Sequence, residues 1–131
     1  MRAAANIFFA AVLGALPGVA MSEPGLTVKQ GFDTCLSAPI VMQGIELSPE
    51  ATTNATWCVG YFVGATDFLS ANCDELQNGT QSDTLLTARA PDVKEAVLAF
   101  LAWAAPNEDQ WERPLFEGVA RSLQTEYPCE S

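Results

Sequence analysis

The chain has no histidine among its 131 residues, and only 6 residues are lysine or arginine against 16 that are aspartate or glutamate. Without histidine, the usual general base at neutral pH is missing, and so are Cys/His zinc sites and Ser/His or Cys/His nucleophile pairs. The formal net charge of −10 repels nucleic-acid phosphates, and no basic cluster offsets it. We therefore expect neither an enzyme nor a nucleic-acid-binding protein.

The N-terminal segment has the organisation of a secretory signal peptide. It begins with a positive residue, Arg2, continues with an apolar stretch that is short for a membrane span, and ends with small residues at Gly18 and Ala20. This pattern predicts that residues 1–20 are removed on export to the periplasm. Residues 21–131 are then a single domain without a stable membrane anchor.

The four cysteines all lie in the predicted exported domain: Cys35, Cys58, Cys73 and Cys129. None belongs to a Cys-x-x-Cys pair, and an oxidising compartment favours disulfides over metal or redox chemistry. We therefore expect two structural disulfides, no metal site and no cofactor. Four cysteines allow three connectivities, which the sequence alone does not separate.

Hydrophobic periodicity predicts four helices, whose boundaries are marked by capping residues and prolines. The first spans 26–36, the second opens at Ser48-Pro49 and ends at Asn72-Cys73, the third starts at Pro91-Asp92, and the fourth runs from Pro114 to before Pro128. We expect a packed loop over 38–49 and an exposed polar loop over 74–88.

These elements predict an all-α protein, a small antiparallel bundle of about four helices. In an up-down arrangement the end of the first helix meets the start of the second, which lets Cys35 reach Cys58. Cys73 and Cys129 both follow helices that run the same way. We therefore favour the pairs Cys35–Cys58 and Cys73–Cys129.

The second helix has the strongest apolar pattern. One stripe at helical spacing is predicted to face the core, and further apolar residues widen it. The stripe is Trp57, Tyr61, Ala65 and Phe68, widened by Cys58, Phe62 and Leu69. Gly60 and Gly64 lie four residues apart, and we expect them to let a neighbouring backbone approach closely.

Asp67 is the most conspicuous carboxylate, because it interrupts this apolar helix. A buried acid must be hydrogen-bonded or paired, and the expected partner is one of Arg89, Arg113 and Arg121. The acid-rich segments around 74–83 and 108–112 lack the regular ligand spacing of a calcium loop. We therefore expect them to be solvated.

The segment Cys58-Val-Gly-Tyr-Phe-Val-Gly-Ala-Thr-Asp67, an upstream cysteine, a cysteine that ends the same helix and the closing Tyr127-Pro128-Cys129 form a recognisable set. This set resembles the exported immunity proteins that neutralise type VI secretion amidase effectors, the Tai or resistance-associated protein (Rap) family. The resemblance implies a disulfide-bridged helical protein of the periplasm that often forms a homodimer. It also implies that the chain blocks a cell-wall amidase at its active-site cleft.

The chain departs from the family pattern at two loops. Asp74-Glu75 follows the third cysteine where the family often has Leu-Pro, and Ala105-Pro106 stands near a His-Pro of the family. These loops are the predicted partner contacts. Their candidate residues are Asp74, Glu75, Glu108, Asp109 and Trp111, of which Trp111 is expected to be an exposed interface anchor.

Two functions from different classes are consistent with these features. The first is an inhibitor-type binding protein that occludes the cleft of an exported enzyme. The alternative is a periplasmic stress or chaperone-like protein, since 16 carboxylates become protonated as pH falls and change the charge of the chain greatly.

Overall fold

The computed structural model of the chain describes residues 25–79 and 86–130. Within these ranges the chain forms five α-helices and one short 3₁₀ helix and contains no β-strand. The helices are α1 (Val28–Cys35), α2 (Ala38–Val41), α3 (Pro49–Gln77), α4 (Val93–Ala104) and α5 (Leu115–Glu126), with the 3₁₀ helix at Glu108–Gln110. The prediction of an all-α fold is confirmed, and the predicted signal peptide lies outside the described residues.

Side-chain caps fix the starts of three helices. The hydroxyl of Thr27 accepts a hydrogen bond from the backbone N–H of Gln30 and forms a capping box at α1. The Ser48 hydroxyl accepts from the N–H of Ala51 at 3.2 Å, with proline as the next residue of α3. The Asp92 carboxylate accepts from the N–H of Glu95 at 2.8 Å at the start of α4. The predicted starts of α3 and α4 are thus confirmed.

Two predicted boundaries are wrong. Helix α3 continues to Gln77, one turn beyond the predicted end at Asn72-Cys73, so Asp74 and Glu75 are helical. Glu75, Leu76 and Gln77 have high helix propensity, so the helix continues although its surroundings change from the core to solvent. The predicted packed loop over 38–49 contains helix α2, and its residues from 42 onwards are exposed.

Helix α4 is at the centre of the bundle and contacts α1, α2, α3 and α5. The core beneath it is built from fully buried aromatic and aliphatic side chains, which include Phe62, Leu69, Phe100 and Leu123. The rings of Phe62 and Phe100 lie with centroids 5.6 Å apart, and they join α3 to α4.

Helices α1 and α5 approach each other closely because glycines lie at their contact. A Cβ atom at Gly118 would stand 2.5 Å from Cγ2 of Val28, and a Cβ at Gly31 would overlap the side chain of Leu115. The N–H of Leu115 donates to the carbonyl of Leu26 at 2.7 Å across the same contact. A larger residue at either position would force the buried Leu115 or Val28 side chain to shift.

Both disulfides attach to α3. Cys35–Cys58 joins it to α1, and Cys73–Cys129 joins it to the segment that follows α5. This pairing confirms the favoured connectivity. Two disulfides indicate that the protein folds in an oxidising compartment. In the described ranges, no helix is both long and apolar enough to cross a membrane.

Candidate protein-binding surface

Helix α3 is apolar on two adjacent sides, and the structure buries the side of the residues that were predicted only to widen the main stripe. Cys58, Phe62 and Leu69 are fully buried, whereas Trp57 is 38% exposed and Phe68 is 54% exposed. The prediction that Trp57 and Phe68 face the core is therefore wrong. The physical reason is the disulfides: Cys58 and Cys73 must both face inward to reach their partners, and Phe62 and Leu69 lie on the same side.

The outer side of α3 presents a surface that we call the aromatic face. It consists of Trp57, Gly60, Tyr61, Gly64 and Phe68 of α3 with Phe116 of α5. Trp57 stacks on Tyr61 with ring centroids 5.3 Å apart, and Phe68 meets Phe116 edge-on at 5.7 Å. Between Tyr61 and Phe68 lies an open notch of about 380 Å³, which is floored by Gly60, Gly64 and Ala65.

The two glycines of the aromatic face have open space above them. A Cβ atom at either Gly60 or Gly64 would meet no heavy atom within 4 Å. The prediction that these glycines let a neighbouring element of the chain approach is wrong for the described residues. The glycines that allow a close approach are Gly31 and Gly118, which no pattern in the sequence marks.

Asp67 also lies on the outer side of α3, exposed to solvent. Its expected burial is wrong, and none of the three candidate arginines pairs with it. Arg89 pairs with Asp74 at 2.6 Å, and both Arg113 and Arg121 pair with Glu117. Because these ion pairs are exposed, each contributes little to stability.

A second apolar surface lies on the connection between α1 and α3, and we call it the apolar loop, residues 36–47. It carries five of the large exposed apolar side chains: Leu36 at 52%, Ile40 at 40%, Met42 at 36%, Ile45 at 51% and Leu47 at 36%. Five large exposed apolar side chains within twelve residues make this segment a candidate interaction site.

The apolar loop is fixed at its base. The Cys35–Cys58 disulfide precedes it, Ala38 is fully buried, and the Ser37 hydroxyl donates to the carbonyl of Ala51 at 3.0 Å. Gly44, with φ of +81°, forms the turn that follows α2. A loop held in this way loses little conformational entropy when it binds.

The stretch of chain that contains the apolar loop carries charge of one sign. No lysine or arginine occurs between Lys29 and Arg89 in the sequence, whereas Glu46 lies in the loop and Glu50 just beyond it. A shallow depression of about 570 Å³ runs beside it, lined by Val41, Ile45, Leu47 and neighbouring residues that include Glu46. The surface therefore combines apolar anchors with an acidic rim.

The predicted partner contacts do not come together in one patch. Asp74 and Glu75 are exposed at the end of α3, where Asp74 contacts Arg89 just before α4 begins. Glu108 and Asp109 are exposed just after α4 ends. Helix α4 has 12 residues, so the two acidic segments are about 18 Å apart along its axis.

Trp111 is half-buried, and its expected exposure is wrong. Its ring stacks on Phe32 with centroids 5.9 Å apart, and its indole N–H donates to the carbonyl of Ala104 at 2.9 Å. The ammonium of Lys29 stands 5.2 Å from the ring centroid. The indole thus holds the 3₁₀ segment against α1.

A groove of about 430 Å³ between α4 and α5 has carboxylates at one end and the Trp103 ring along its wall. The Tyr127 hydroxyl donates to Glu95 at 3.4 Å, and burial together with the Glu95 carboxylate raises the pKa of Tyr127. Among residues 25–79 and 86–130, no three histidine, cysteine or acidic side chains are placed to hold a metal ion.

Comparisons of the chain with protein-family models, with curated proteins and with solved structures found no match.

Proposed function

We propose that the chain is an exported immunity protein that inhibits a type VI secretion peptidoglycan amidase by covering its active-site cleft. The predicted signal peptide directs it to the periplasm, where such an effector acts. The chain has no catalytic role in this proposal. Its function is to bind the effector and exclude the substrate.

The observation that carries the proposal is the apolar loop. Five exposed apolar side chains on a loop anchored by a disulfide are suited to enter a cleft, because the loop is ordered before binding. In protein interfaces a few central, well-packed residues supply most of the binding free energy. Ile45, the most exposed of them apart from Leu36, is our choice for the central anchor.

The charge of the chain supports a basic partner. The formal net charge is −10, Glu46 lies in the apolar loop, and Glu50 lies just beyond it. Charge of one sign on a binding surface accelerates association with a partner of opposite sign and disfavours other partners. We therefore propose an effector whose cleft has an apolar interior and lysine or arginine side chains at its rim.

The sequence resemblance supports the same class of partner. The Cys58-to-Asp67 segment that carries the resemblance lies on α3, and the closing Tyr127-Pro128-Cys129 contains the second disulfide. The first of these segments holds the apolar loop through the Cys35–Cys58 disulfide.

The proposal predicts that an amidase is encoded next to this chain, and it is tested with that purified enzyme and the oxidised chain. We expect the chain to inhibit peptidoglycan hydrolysis at equimolar concentration. Ile45→Asp should weaken binding about 30-fold or more, because it places a charge at a central apolar anchor. Leu98→Asp, at an exposed apolar position of α4, is the matched control and should leave affinity unchanged. Full inhibition by Ile45→Asp, or no complex at micromolar concentrations, would refute the proposal.

The hypothesis of a stress or chaperone-like protein predicts a different result. It requires apolar surface to be released as the 16 carboxylates become protonated. We expect the two disulfides to prevent this release. A titration with an apolar fluorescent dye from pH 7 to pH 3 separates the hypotheses, since only the chaperone-like protein gains dye fluorescence at acidic pH.

A further inference from the structure

The two disulfides differ in how far a reagent in solution can reach them. Cys35 and Cys58 are both fully buried and belong to the hydrophobic core of the bundle. Cys73 is also buried, but its partner Cys129 is half-buried and lies in the segment that follows α5. The rate of thiol–disulfide exchange depends on access to the sulfur that is attacked. The Cys73–Cys129 disulfide is therefore the candidate for exchange in the folded protein.

An open pocket leads to this disulfide from the surface. It measures about 340 Å³ and is lined by Cys73 and Cys129 together with Leu76, Gln77 and Glu130. Leu76 is itself 38% exposed, so its side chain does not seal the pocket. A water molecule occupies about 30 Å³ in the liquid, and the volume beside the disulfide is therefore ample for a sulfur atom with its neighbouring methylene groups.

We propose that Cys73–Cys129 is a site of thiol–disulfide exchange at which a dithiol acts while the protein remains folded. A thiolate of the dithiol attacks Sγ of Cys129, the S–S bond breaks, and its electron pair leaves with Sγ of Cys73. The second thiolate of the dithiol then attacks the mixed disulfide and releases Cys129. Two electrons pass to the chain from the dithiol, which becomes a disulfide, and the two cysteine thiolates take up the protons that the dithiol gave up.

The exchange frees the segment that follows α5. The N–H of Arg89 donates to the carbonyl of Tyr127 at 2.8 Å, and the Tyr127 hydroxyl donates to Glu95 at 3.4 Å. Beyond Tyr127, residues 128–130 make no hydrogen bond to any other described residue. Cleavage of the disulfide therefore detaches these three residues from the end of α3, and it removes a constraint that links positions 56 residues apart.

The other disulfide keeps the apolar loop in place during this exchange. Cys35 and Cys58 are fully buried, so a thiol reaches their disulfide only when the bundle opens. The product of the exchange thus has two thiols, one disulfide, a folded bundle and a lower thermal stability. The dithiol regulates the stability of the chain without releasing the apolar loop, and this inference does not depend on the proposed function.

Timed reduction of the purified, oxidised chain with dithiothreitol tests the proposal. Free thiols are alkylated with iodoacetamide at intervals and located by peptide mapping. We expect Cys73 and Cys129 to be labelled at least about tenfold faster than Cys35 and Cys58, at a rate proportional to the dithiothreitol concentration. The species with two free thiols should keep its helical circular dichroism and melt at a lower temperature than the oxidised chain. Labelling of all four cysteines at one rate, or of Cys35 and Cys58 first, would overturn the proposal.

A substitution in the pocket tests the route that the dithiol takes. Leu76→Trp places a larger side chain beside the disulfide and should slow its reduction at least about fivefold, because less space remains for the attacking thiolate. Val63→Trp, at another exposed apolar position of α3, is the matched control and should change the rate less than about twofold. Equal rates of reduction in the two variants would overturn the claim that this pocket admits the dithiol.

Discussion

The inner and outer sides of α3 have almost the same apolar character but different roles. The inner side carries Cys58, Phe62 and Leu69, all fully buried, and it meets every other helix of the bundle. The outer side carries Trp57, Gly64 and Phe68, which stay exposed although the Phe116 ring of α5 meets Phe68. The comparison teaches that hydrophobicity alone does not assign a helix side to the core. The two disulfide cysteines make the assignment here.

The largest expected difference between the two sides is in the stability of the fold. Phe62→Ala removes a fully buried ring and should lower the free energy of unfolding by about 3–5 kcal/mol, because it leaves a cavity against Phe100. Phe68→Ala removes a half-exposed ring and should cost about 1 kcal/mol. Urea unfolding of the oxidised variants gives both values, and equal losses would mean that the outer side also belongs to the core.

Removal of the disulfides tests how strongly the inner side is held. The loop closed by Cys73–Cys129 spans 56 residues and that of Cys35–Cys58 spans 23. In the chain-entropy model their loss costs about 4 and about 3.5 kcal/mol respectively. Two variants, each with both cysteines of one disulfide replaced by serine, are compared by thermal unfolding. Loss of Cys73–Cys129 should lower the stability more than loss of Cys35–Cys58. The reverse order would show that the Cys35–Cys58 disulfide stabilises α1 by more than the entropy of loop closure.

The glycines provide the next comparison, between a packed position and an open one. Gly118→Ala places a methyl group against Val28 and should destabilise the fold by about 1–3 kcal/mol. Gly60→Ala adds the same methyl group to open space in a helix and should stabilise the isolated monomer by up to about 1 kcal/mol. Urea unfolding at low protein concentration measures both. A loss of stability in Gly60→Ala would reveal a contact within the chain.

The smallest expected effect is the change of stability with pH that comes from the two tyrosines. Burial raises the pKa of Tyr61, and burial with the Glu95 carboxylate raises that of Tyr127. The folded state therefore keeps these protons up to a higher pH than the unfolded state. The contribution of the two tyrosines to stability is fully present below pH 10 and is lost as pH rises through the folded pKa values. The phenolate absorbance of the native chain should appear at higher pH than that of the chain unfolded in urea. Coincident titrations would contradict the burial of Tyr61.

Much of the fold follows from local signals in the sequence. Ser48 with Pro49 and Asp92 before Glu95 mark helix starts because their side chains satisfy free backbone N–H groups. The disulfide pairing follows from the order of the helices, since an antiparallel turn brings Cys35 to Cys58. These predictions depend on contacts that are close in sequence or fixed by topology.

The candidate surface was harder to predict, because it depends on which apolar side chains remain uncovered. Trp57 and Phe62 both lie at helical spacing, and only the inward direction of Cys58 and Cys73 distinguishes their sides. That signal is present in the sequence. The exposure of Ile45 has no such signal, because it depends on how α2 turns the loop away from the bundle.

The most direct test of the account is the affinity of the oxidised chain for a type VI secretion peptidoglycan amidase, compared between the variants Ile45→Asp and Leu98→Asp. Ile45 is 51% exposed on the apolar loop, and Leu98 is 38% exposed on α4. We predict that Ile45→Asp weakens binding about 30-fold or more, whereas Leu98→Asp leaves the affinity unchanged. Equal affinities of the two variants would contradict the claim that the apolar loop binds the enzyme.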